Sequence, residues 1–112
     1  MPVKCDEYND TCVITVDGDL SGDDVKTLGK HVEKTFEERR VVDFIIDLEK
    51  SGFIDSEGLE TLLWLRRTCE NHHGQVKLAA PDENVRKILE ITRLAHRFET
   101  HPDVTAALRT MR

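Results

Sequence analysis

The residues with most chemical potential in this chain stand together at Asp55-Ser56-Glu57-Gly58-Leu59. Ser56 offers a hydroxyl between two carboxylates, where the apolar pair Phe53-Ile54 gives way to a helical pattern. A serine at a strand-to-helix junction aims its hydroxyl at the free N–H groups of the first turn, and the same place accommodates an added phosphate. Two roles follow from the residues: a plain N-cap worth about 1 kcal/mol, or a site of modification. Gly58 lies within the first turn, where it costs about 1 kcal/mol relative to Ala. Close backbone approach by another group is therefore expected there. Eight residues beyond Ser56, Trp64 falls opposite Leu62 and on the side of Glu57, Glu60 and Arg67, counting 3.6 residues per turn. It reads either as an exposed aromatic anchor among charges or as a ring lying under a neighbouring element.

Other chemistries fit less well. A nucleophile elbow of the form G-x-S-x-G needs Gly at position 54, which is Ile54, and no downstream His is placed for a triad. A phospho-Asp receiver could use Asp47 or Asp55 beside Mg²⁺, but it needs one strand before an acidic pair and a Lys ending a later strand. Here two strand patterns open the chain, and Ala79-Ala80-Pro81 holds no such Lys. Of His31, His72, His73, His96 and His101, only His72 and His73 are close, and adjacent helical residues diverge by about 100 degrees. Cys5, Cys12 and Cys69 form no C-x-x-C pair and are expected as small buried apolar groups kept reduced. No catalytic set, metal site or cofactor is expected, and the chain is not read as an enzyme.

The elements that position Ser56 are legible from periodicity. Val3 to Tyr8 and Cys12 to Val16 are short strand patterns flanking a turn at Asn9-Asp10. After Gly18-Asp19-Leu20, Ser21 is expected to cap a helix with Asp24 in its first turn and Val25, Leu28, Val32 and Phe36 on one face. Val41 to Leu48 is mostly apolar and reads as the central strand. The second helix carries Leu59, Leu62, Leu65 and Cys69 inward, with Leu63 on the margin. It closes at His72-His73-Gly74, with Gly74 suited to the left-handed cap. Val76 to Ala80 reads as a buried strand, and Pro81-Asp82 opens a helix with Val85, Ile88, Leu89 and Ile91. Phe98 is a last core or strand residue before a helix holding Val104, Ala107, Leu108 and Met111. Strands alternating with helices imply a single α/β domain over 1–112, a mixed sheet of four to five strands with about four helices packed against it.

Composition narrows the partners. Among 112 residues, 22 acidic against 16 basic side chains give a formal net charge of -6. An acidic body repels phosphate backbones and anionic headgroups, so neither nucleic acid nor membrane is expected as a partner. Apolar runs of a few residues fall far short of the ~18 needed to span a bilayer, and no leader is visible, so a cytoplasmic location is expected.

In the order Gly18-Asp19-Leu20, Ile54-Asp55-Ser56-Glu57-Gly58-Leu59, Gln75-Val76-Lys77-Leu78-Ala79 and Val85 to Phe98, the chain resembles the STAS domain, named for sulphate transporters and anti-sigma factor antagonists. Glu57 stands where many antagonists have a second Ser. The resemblance implies an anti-sigma factor antagonist in a partner-switching pathway, with Ser56 as phosphoacceptor. Its implied partners are an anti-sigma factor that is also a serine kinase, and a phosphatase that resets the switch. The antagonist is expected as a monomer or weak dimer. The implied partner surface takes in Asp19 and Ser21, then Asp55, Glu57 and Gly58, and Glu60 and Trp64 on the helix that follows. The main rival is a non-switching STAS scaffold or small-molecule-binding module, in which Ser56 is only a cap.

Overall fold

The computed structural model describes residues 3–111. The chain runs β1 (Val3–Tyr8), β2 (Thr11–Val16), α1 (Asp23–Arg39), β3 (Asp43–Asp47), α2 (Ser56–Asn71), β4 (Gln75–Ala79), α3 (Glu83–Ile91), a 3₁₀ turn (Ala95–Arg97), β5 (Glu99–His101) and α4 (Val104–Arg109). Five strands lie in the order β1-β2-β3-β4-β5. The first pair is antiparallel and the other three are parallel, so this is the mixed α/β sheet expected.

Each join has a local cause. Asn9 and Asp10 both take positive φ, 49° and 68°, which a two-residue hairpin with the native strand twist requires. The parallel neighbours need long crossovers, supplied by α1 between β2 and β3 and by α2 between β3 and β4. Phe44, Ile45 and Ile46 in β3 are fully buried on both faces of the sheet, as a central parallel strand demands. On one face Ile14, Phe44, Ile46 and Leu78 pack with Leu28, Val32, Leu62 and Leu65 of α1 and α2 and with Val85 and Leu89 of α3. On the other, Val13, Ile45 and Ala79 pack with Ala107 and Met111 at the α4 end.

Four expectations change. Cys5 and Cys12 are joined in a disulfide and are not separate reduced thiols. Cys5 faces Ile14 and Cys12 faces Glu7, so the two are diagonal neighbours on one face of the hairpin. Their Cα atoms are 6.4 Å apart, within disulfide reach. Cys69 does stay a buried free thiol, pushed up to about 12 by burial and by the charges of Asp43 and Glu70. The left-handed residue after α2 is His73, at φ 63°, while Gly74 is needed because a Cβ there would run into the Val42 carbonyl. Ile91 is 79% exposed, since α3 ends there and its last turn passes off the core. Ser21 does not cap α1: the helix starts two residues later, Gly22 turns the chain at φ 55°, and no side chain caps it.

Candidate functional site

The site lies where β2 and β3 end. Beyond the strands, the 17–22 and 49–55 loops stay paired: Gly18 N–H donates to Lys50 O (3.1 Å), Leu20 N–H to Phe53 O (2.9 Å) and Asp55 N–H to Leu20 O (3.3 Å). Leu20 and Ile54 form a parallel bridge and are both buried, extending the sheet by one rung. Buried Ser51 closes the base of this rung, its hydroxyl donating to Val16 O at 3.2 Å. The loop bearing Asp19 and Ser21 and the loop bearing Asp55 are therefore tied together by backbone hydrogen bonds up to the residue before Ser56.

Asp55 is the N-cap of α2. Its extended backbone (φ -89°) leaves the carboxylate free to accept from Gly58 N–H at 2.8 Å. Ser56 is thereby the first residue of the helix and not its cap, and its side chain is exposed. This departs from the simplest expectation for Ser56, and the reason is positional: an Asp one residue earlier reaches the same first-turn donor. Gly58 is buried, and a Cβ there would sit 2.5 Å from Leu20 O and 2.8 Å from Ile54 Cγ2. The close approach expected of this glycine is real, and it is made by the chain itself: α2 starts hard against the Leu20 rung.

The other expected site residues divide by exposure. Asp19, Glu57 and Glu60 are exposed, Ser21 and Asp55 are half-buried, and Gly58 acts from inside. Trp64 falls between its two readings: it is half-buried, packing on the core while lining a groove with Val25, Lys26, Gly29, Glu33 and Thr61. Three neighbours escaped the sequence reading. Phe53 is 45% exposed beside the site. A signal existed, since Ile54 is buried and a residue next to it in extended chain must face the other way. Asn84, from α3, donates to Gly52 O at 2.6 Å, and the carboxylates of Asp19 and Asp82 flank Gly52. No local signal announces contacts across more than thirty residues.

The arrangement is an exposed serine in the first turn of a helix, between the capping Asp55 and the exposed Glu57, at a hydrogen-bonded corner of an α/β sheet. That class of domain is confirmed by comparison: a family model described as the STAS domain matches residues 3–107. The chain belongs to the STAS domain family. Among solved structures, a putative anti-sigma factor antagonist from Thermotoga maritima superposes with TM-score 0.88 at 18% identity, over 96% of this chain and 92% of that one. The phosphorylated form of the Bacillus cell fate determinant SpoIIAA gives 0.79 at 22%, over 98% and 99%. A sulfate transporter family protein from Wolinella succinogenes gives 0.75 at 13%, over 91% and 84%. Antagonists and a transporter-family protein thus share this fold, and the site must argue the function.

Proposed function

We propose that this chain is an anti-sigma factor antagonist that binds an anti-sigma factor with serine kinase activity while Ser56 is free, and is released when Ser56 is phosphorylated. The observation that carries this reading is that Asp55 performs the capping, leaving the Ser56 hydroxyl exposed and without structural duty. A phosphatase acting on Ser56 completes the cycle. The chain acts by binding, without catalysis of its own, in the cytoplasm, as a monomer or weak dimer. Among the described residues no helix is long and apolar enough to cross a membrane.

Electrostatics give the switch its direction. Phosphorylation adds about -1.5 to -2 charges to one oxygen. In the free protein the α2 dipole offsets about 0.3–1 kcal/mol of this, while Asp55 and Glu57 oppose it. The fold is expected to survive. Inside a desolvated interface, a charge left unpaired costs about 2–5 kcal/mol, or about thirty to several thousand fold in affinity. The partner surface comprises Asp19, Ser21, Asp55, Glu57 and Glu60, with Gly58 holding the loops in register and Trp64 at the far end.

The test is to incubate the chain with ATP and the serine-kinase anti-sigma factors of its host, then locate phosphate by mass spectrometry. Modification at Ser56, absent in Ser56→Ala, is expected. Complexes that form with no phosphate on Ser56 would favour the non-switching scaffold. One feature favours a small-molecule-binding module as second reading: a cavity of about 420 Å³ between α3 and β5, lined by Pro81, Arg86, Leu89, Phe98 and His101.

A further inference from the structure

Two glycines sit inside helices on this side of the molecule, and only one is explained by the chain itself. At Gly58 the missing Cβ makes room for the Leu20 carbonyl. At Gly29, in the middle of α1, a Cβ would meet nothing within 4 Å, and φ is not in the left-handed region. Gly there costs α1 about 1 kcal/mol relative to Ala, with no packing gained within the chain. The space above it is the groove between α1 and α2, two adjoining depressions of about 340 and 180 Å³ that share Val25 and Thr61. Gly29, Val25 and the half-buried Trp64 give it an apolar floor. Glu33 stands at one end and Glu57 and Glu60 at the other, against the single cation Lys26.

We infer that this groove receives an amphipathic helix of the partner, with small apolar residues facing Gly29 and basic residues facing Glu33, Glu57 and Glu60. The inference rests on the partner-binding reading of the Ser56 corner and says how that partner is held. From Glu57 to Trp64, α2 rises about 10 Å, the length of two helical turns. A helix laid between two others packs its ridge into such a groove, and a glycine lets backbones approach closely. Three carboxylates against one lysine select a basic flank. Because the groove ends at Glu57, next to Ser56, the docked helix lies beside the phosphorylation site.

Trp64 is the only tryptophan in the chain, so its fluorescence reads the groove directly. The probe is a synthetic peptide of about 18 residues, a length at which isolated helices begin to hold, with an Ala/Leu ridge and Lys/Arg flanks. Titrated into the intact chain, it is expected to give a saturable blue shift of Trp64 emission. The same ridge with Glu flanks, and the basic peptide broken by a central Pro, should bind at least about tenfold more weakly. Gly29→Leu fills the groove while improving helix propensity, so its melting temperature should hold and its affinity for the peptide should fall by a similar factor. No shift with the basic peptide, equal binding of the acidic or Pro-broken peptide, or unchanged binding by a folded Gly29→Leu would overturn the inference. The titration involves neither kinase nor phosphate, so failure of the Ser56 reading shows separately, in the labelling experiment.

Discussion

Two corners of the sheet treat charge in opposite ways. At the β4–β5 edge, buried Lys77 donates to Thr110 Oγ1 (2.7 Å) and pairs with Glu99 (2.8 Å), whose same oxygen meets His101 Nε2 at 2.6 Å. These hydrogen bonds, Lys77 first and His101 second, hold the Glu99 carboxyl below its usual range. At the Ser56 corner the backbone is equally well tied, yet among the described residues Asp19, Glu57 and Glu60 enter no ion pair. One corner spends its polar groups on the fold. The other keeps them facing outward on a rigid frame, the arrangement expected where recognition is to occur.

The comparison can be broken first at Gly58. Gly58→Ala forces a Cβ against backbone and is expected to cost about 1–3 kcal/mol in denaturant unfolding, even after the gain in helix propensity. A neutral result would mean that α2 is not pressed on the Leu20 rung and that the corner is not rigid. Next come the two adjacent polar residues. Asp55→Ala should lose about 1 kcal/mol with its cap, while Ser56→Ala stays within about 0.5 kcal/mol of the parent. The reverse order would return Ser56 to a capping role.

Smaller effects are expected at the opposite corner. Lys77→Met keeps the buried stem and removes the charge, leaving Glu99 half-exposed to water, and should change stability by less than about 1 kcal/mol. A loss of several kcal/mol would show that the ion pair carries that edge. The smallest effect is in pH. Because the folded Glu99 pKa lies below its unfolded value near 4.5, its contribution is complete above that value and is lost as pH falls through the lowered one. Glu99→Gln should therefore be slightly less stable than the parent at neutral pH and lose less below pH 4.5, so that the two acid unfolding curves converge at low pH.

What the sequence disclosed follows from range. The Asn9-Asp10 turn, the apolar β3 and the stripe of Leu62, Leu65 and Cys69 depend on neighbours within a turn or a strand, and all were readable. So was the need for close contact at Gly58, though not the atom that makes it. Capping was read one residue late at Ser56, because Asp and Ser are equally good caps and only the backbone at Asp55 decides between them. It was read at Ser21, where Gly22 turns the chain away. The Cys5–Cys12 bond needs the register of the hairpin, and the Asn84 contact to Gly52 needs two crossovers in place. Trp64 was left between core and surface by the helical wheel because the wheel does not know where α1 lies; packed beside it, the ring is half in each.

The most direct measurement is the calorimetric affinity of the cognate serine-kinase anti-sigma factor for the parent chain, Ser56→Ala and Ser56→Asp, each first shown to melt at the same temperature. The account predicts that Ser56→Ala binds like the parent and that Ser56→Asp binds at least about tenfold more weakly, a fraction of the full phosphate effect because Asp brings one charge in place of nearly two. Equal affinities for all three would contradict it.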